Sequence, residues 1–248
     1  MTNMFTTRIA AALRAVAAAT LVSLAATAAV AGAAVTLAGP AAATPVKQLD
    51  TGTMYGDPTA AAKFWRVQHY DDCALMSVAD VVGQLTGHMP TEQEIIELAQ
   101  NTPSKTHPGS IYIKPENPSD ATDGMGTSPE DEVVLLAHYG VTGVITDSAT
   151  ADKTGMATGL EALKAYLADG RKIIAGVNAE TIWNSADGQR KRADHALVVT
   201  GIDAKNGIVH LNDSGTPDGR DEQVSIATFM KAWKTDGFRM IVTEQPGK

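Results

Sequence analysis

The segment Gln68-His69-Tyr70-Asp71-Asp72-Cys73-Ala74-Leu75-Met76-Ser77 carries the single cysteine of a 248-residue chain. Just beyond it Leu75, Val78, Val81, Val82 and Leu85 recur at helical spacing, and Gly87 ends the run. The pattern predicts a helix with Cys73 at or just before its first turn. A free thiol is mostly protonated at neutral pH, so a nucleophilic cysteine needs help to become a thiolate. A helix start supplies it, because unpaired backbone N–H groups point at that position. The plainer reading is an inert cysteine on the core face of the helix. The polar residues Tyr70-Asp71-Asp72 ahead of it, and the absence of any second cysteine for a disulfide, favour a nucleophile.

A nucleophilic thiol needs a base, and the base needs an orienting group. Far downstream lie Asp194-His195-Ala196-Leu197-Val198-Val199-Thr200-Gly201 and Val209-His210-Leu211-Asn212-Asp213-Ser214-Gly215. Residues 195–202 and 207–211 read as apolar strands, joined by a turn whose Asn206-Gly207 is a strong hairpin signal. Counting outward from that turn, His195 and Asp213 both fall at the far end of the hairpin. His195 is therefore the candidate base, and Asp213 or Asn212 the group that accepts from its other ring nitrogen. His69, His88, His107 and His138 lie in loops or at helix ends, and His210 sits on the strand that carries the acid.

Upstream, Arg8 and Arg14 are the only charges before Lys47, and Ala, Val and a few Leu fill the interval. A basic start followed by an apolar run is the pattern of an export signal. Ala29-Val30-Ala31 and Ala41-Ala42-Ala43 are the candidate cleavage sites, the second favoured because Thr44-Pro45 then opens the mature chain. The reading is thus a signal peptide over 1–43, a flexible leader over 44–62 and one domain over 63–248, with the mature protein secreted. Without Arg8 and Arg14 the remainder carries 18 basic and 28 acidic residues, a net charge of −10. Such a balance argues against nucleic acid or an anionic membrane as partner.

Within the domain, Phe64 to Gln68 alternates like a short strand. Thr91 and Glu94 form a capping box ahead of a second helix with Ile95, Ile96 and Leu98 inward. A polar loop runs from 102 to 127, and Ser128-Pro129-Glu130-Asp131 opens a third helix ending at His138-Tyr139-Gly140. Thereafter 141–146 and 172–177 read as strands, 160–168 as a helix, 225–233 as the last helix and 238–242 as the last strand. Helices first and an antiparallel sheet later make an α+β domain.

Gln68-x-x-x-x-Cys73, Gly126-Thr127-Ser128-Pro129-Glu130-Asp131 leading to Tyr139-Gly140, the His195–Gly201 strand and Leu211-Asn212-Asp213 together resemble the C39-like peptidase family, over roughly Phe64 to Thr243. That family is papain-like, and the resemblance implies N-terminal helices packed on a C-terminal antiparallel sheet. It implies a cysteine peptidase with a Cys73-His195-Asp213 triad and selects Asp213 over Asn212. It also gives Gln68 a role: its side-chain amide, with the backbone N–H of Cys73, would donate to the oxyanion of a tetrahedral intermediate. Ala74-Leu75 stands where the family usually has Gly-Pro, which motivates an alternative, a secreted binding module that keeps the fold without turnover. A hydrolase of cell-wall peptide stems is a further alternative.

No cofactor is expected. Residues 119–130 imitate a calcium loop, but Ser119 and Ala121 replace acids at the first and third ligand positions, and no His or Cys pair has zinc-ligand spacing. The partner expected is a peptide or protein substrate, met by a monomer.

Overall fold

The computed structural model describes residues 53–117, 124–185, 188–245 and 247. The export segment read over 1–43, and 44–52 of the leader, lie outside them. Met54–Gly56 forms strand β1 and Pro58–Ala61 helix α1, followed by a 3-10 turn over 62–64. Both correct the sequence reading. Residues 53–62, taken as flexible leader, are tied down because β1 pairs with the far half of the His195 strand (Tyr55 opposite Ile202) and Tyr55 is buried. Residues 64–68 form no strand. No sheet edge receives them, and Trp65 instead donates its indole N–H to the Asp213 carbonyl at 2.6 Å.

The helical half follows the sequence pattern. Helix α2 spans Cys73–Thr86 and stops at Gly87, whose left-handed backbone (φ 81°) closes the last turn with an N–H to the Gly83 carbonyl. Helix α3, Glu92–Gln100, starts in the expected reciprocal box of Thr91 and Glu94. Helix α4, Pro129–His138, is capped by the Ser128 hydroxyl. Leu75, Val78, Val81, Ile95, Ile96, Leu135 and Leu136 meet in one core. Each such side chain, fully withdrawn from water, contributes roughly 1.5–3 kcal/mol.

The rest of the chain builds a seven-stranded antiparallel sheet: β2 (Gly143–Thr146), β3 (Ile173–Val177), β4 (His195–Asp203), β5 (Ile208–Asn212), β6 (Arg220–Ser225) and β7 (Met240–Thr243) join β1. The order is β2-β7-β3-β4-β5-β6, with β1 beside the far half of β4. Side chains alternate across a strand. Ala196 and Val198 accordingly face the α2–α4 core, while Leu197 and Val199 face a second core. Helices α6 (Leu160–Ala168) and α8 (Ile226–Lys234) cover that second face with Leu163, Leu167, Phe229 and Trp233. Short helices α5 (Ala151–Thr154) and α7 (Ala179–Ile182) fill connections. The fold is α+β, and β4 packs directly on α2, which brings His195 to the helix start.

Candidate active site

Cys73 is the first residue of α2, and its Sγ accepts the backbone N–H of Ala196 at 3.4 Å. The preceding Asp72 makes no side-chain cap, so the first-turn N–H groups of α2 are left to the thiol's surroundings. His195 opens β4 and is buried; its Nε2 meets the Asp213 Oδ1 at 2.7 Å. That leaves Nδ1 as the ring nitrogen for Cys73, whose charge acts on the imidazole.

The charges follow from this packing. Burial alone would push His195 down. The negative charge of Cys73, hydrogen bonding of the imidazole to the Asp213 carboxylate and the Cys73 sulfur, and the Asp213 charge outweigh burial and raise it to about 10. A thiolate on Cys73 and the Asp213 carboxylate thus both favour the imidazolium form of His195. Burial would raise Asp213, but the hydrogen bond and charge of His195, then Trp183 and the Gly215 N–H, hold its carboxylate below the usual range.

Asp213 is fully enclosed. Trp183 donates its indole N–H to Oδ2 at 2.9 Å, and the Gly215 N–H reaches Oδ1 at 2.8 Å. The Trp183 ring, itself partly exposed, lies 5.3 Å from the buried His195 ring. Gly215 has to be glycine: a Cβ there would stand 2.9 Å from both His195 Cε1 and Trp183 Cζ2. Neither Trp183 nor Gly215 is signalled by the sequence, since their roles arise only once the loops close over the pair.

Asn212 points away. Its Nδ2 donates to the Ala61 carbonyl at 2.9 Å and to Asp80 at 2.7 Å. Gln68 stands beside the triad without lining the cleft. Its backbone N–H donates to the Ser214 carbonyl, its Oε1 accepts the Ser214 hydroxyl at 2.8 Å, and its Nε2 donates to the Tyr70 carbonyl at 2.8 Å. An amide nitrogen carries two hydrogens, so one remains for another acceptor.

Cys73 and His195 open onto a cleft of about 410 Å³, walled by Asp71 and Asp72, the 126–129 turn, Glu132, Gly176 and Asp236. Asp131 fixes one wall: its carboxylate accepts the Ser104 hydroxyl and the Lys105 N–H, both at 2.7 Å, which ties the long polar loop to α4. Buried acids crowd this half. Burial, reinforced by the charge of Glu92, raises Asp72 to about 7. Burial also raises Asp80 to about 7, and drives Glu132 well above the usual carboxylate range with help from the charges of Cys73, Glu130 and Asp236. Among the described residues no cluster of three His, Cys, Asp or Glu is placed to hold a metal ion.

These shifts set a pH dependence. An acid whose folded value is raised binds more protons folded than unfolded, so stability falls as pH climbs from the unfolded value of 3.8 to about 7 for Asp72 and Asp80. The raised His195 acts in the same direction: its contribution is whole below 6.5 and is lost as pH rises through about 10. The thermal midpoint, followed by scanning fluorimetry, should therefore decline steadily from about pH 5 to pH 10. A midpoint rising over that interval would contradict the assignment.

The family described as "Peptidase_C39 like family" matches residues 42–241. An uncharacterized protein of Mycobacterium tuberculosis (strain H37Rv) is 57% identical over 197 residues, covering 77% of this chain and 85% of its own length. An uncharacterized protein of Mycobacterium bovis matches with the same figures. Among solved structures, a C39-like peptidase from Bacillus anthracis aligns at 17% identity with a TM-score of 0.49, over 75% of this chain and 97% of that one. SERA5E from Plasmodium falciparum aligns at 12% identity with a TM-score of 0.44, over 77% and 94%.

Proposed function

The chain belongs to the C39-like peptidase family, and on that premise we propose that it is an exported cysteine hydrolase that cleaves peptide or amide bonds through a thioester on Cys73. The observation that carries the reading is the placement of Cys73 at the start of α2 with the buried His195–Asp213 pair at 2.7 Å beside it. The Cys73 sulfur attacks the scissile carbonyl carbon, forming the C–S bond as the carbonyl oxygen takes the electron pair. The Cys73 N–H donates to that oxyanion, and the Gln68 amide joins it once its side chain turns from the Tyr70 carbonyl toward the cleft. His195 passes its proton to the leaving amine, the C–N bond breaks, and the thioester is left. Water then attacks with neutral His195 as base, releasing the acid and restoring the thiolate pair.

Leu75 favours turnover over a silent binding module. It stands where the family usually has proline, yet its side chain is fully buried in the α2–α4 core and leaves the cleft open. The basic start and apolar run before residue 44 support export. The substrate is a peptide, cell-wall peptide stems included. The test is incubation of the full chain with a quenched peptide library and with peptidoglycan digests, followed by mass spectrometry of products and of acid-quenched protein. New amide cleavages together with an acyl adduct on Cys73 are expected. Neither product nor adduct from either substrate set would refute the hydrolase reading.

A further inference from the structure

Beneath the cleft lies a smaller pocket of about 30 Å³, sharing Glu132, Gly176, Ala196, Asp236 and Arg239 with it. Its lining combines the apolar Ile174, Met240 and Ile241 with the two carboxyl groups of Glu132 and Asp236. Glu132 is only 3% exposed, and its Oε2 has no hydrogen-bond partner among the described residues. A buried polar atom without a partner is costly, and the cost is relieved if a ligand supplies the missing donor. Opposite it, the Asp236 carboxylate occupies the space a side chain on residue 176 would take, which Gly176 leaves free. Asp236 meets Arg239 only at 3.5 Å, and Arg239 also faces Asp147 at 3.5 Å.

Building on the hydrolase reading, we propose that the pocket between Glu132 and Asp236 is a specificity subsite that takes an alkylammonium group, the side chain of a lysine-type residue close to the scissile bond. Ala196 places it there, since its backbone N–H bonds the nucleophilic sulfur while the residue also lines the pocket. Size selects the head group. A water-sized group needs about 10–15 Å³ by this measure, so about 30 Å³ admits an ammonium and crowds a guanidinium. Apolar lining suits the methylene stem, and the two carboxyl groups receive the ammonium hydrogens. A metal ion would need a third such ligand, and among the described residues no such group of three exists.

The test compares kcat/KM of the full chain on quenched peptides carrying lysine, norleucine or arginine at each of the residues flanking the cleaved bond. At one position lysine should exceed norleucine by about tenfold to a hundredfold, with arginine between them. Glu132→Gln should bring the lysine-to-norleucine ratio close to one, and Asp236→Asn should reduce it. Equal rates at every position in the wild type would overturn the subsite, as would a ratio unchanged in whichever of the two variants folds. If the wild type cleaves none of these peptides the hydrolase reading fails instead, and fluorescence anisotropy of the same peptides decides the subsite. Tighter lysine binding then supports it and equal binding overturns it.

Discussion

Replacing Cys73 with serine should abolish peptide hydrolysis, by on the order of ten-thousand-fold or more, while leaving the thermal midpoint almost unchanged. Serine is nearly the same size and can still accept the Ala196 N–H, so the start of α2 keeps its packing. What is lost is a sulfur that can exist as an anion beside an imidazolium. A serine hydroxyl is far less acidic than a thiol, so it forms no anion to pair with His195 and has to lose its proton to the imidazole as it attacks. His195→Ala should cost as much, since the thiolate loses its counter-ion and the leaving amine its proton donor. The two losses should not add: the double variant should be no slower than either single one, because the residues act as one unit. Steady-state kcat/KM for the three variants checks this.

Asp213→Ala should damage both fold and activity. It strips the partner from three donors at once, His195 Nε2–H, Trp183 Nε1–H and the Gly215 N–H, inside a buried pocket. Removing one member of a buried, hydrogen-bonded ion pair costs about 3–5 kcal/mol. Asp213→Asn should be milder, because one carbonyl oxygen can still hold His195 and Gly215 while the amide N–H₂ opposes the Trp183 indole, a loss of about 1–3 kcal/mol. In activity the amide variant should fall by about tenfold to a hundredfold, less than where a neutral histidine depends on one tautomer. An imidazolium donates from both nitrogens, so there is no wrong tautomer to populate. Denaturant midpoints and kcat/KM of Asp213→Asn against Asp213→Ala measure both halves.

Much of this was legible in the chain because local signals and the global fold agree. The apolar spacing from Leu75 to Leu85 with Gly87, the Thr91–Glu94 box, Ser128-Pro129 and the Asn206-Gly207 turn each specify their own backbone. The hairpin turn also brings the start of β4 near the end of β5, which is how His195 and Asp213 meet. The illegible parts depend on partners remote in sequence. Strand β6 is polar (Arg220-Asp221-Glu222-Gln223) because it is a sheet edge facing water, so it lacks the apolar alternation of a half-buried strand. Strand β1 is three residues long and exists only because β4 offers it an edge. Trp183 falls in a stretch with no motif, and Glu132 reads as an ordinary first-turn acid of α4. Only the packing of α4 against the sheet turns Glu132 into a buried carboxyl at the cleft.

Hydrolysis by this site requires Cys73 and His195 to form a reactive ion pair. Iodoacetamide labelling at pH 6, followed by intact mass, tests it most directly. The pair predicts carbamidomethylation of Cys73 many times faster than that of free glutathione, slowed sharply by His195→Ala. A rate equal to that of glutathione, unchanged by His195→Ala, would contradict it.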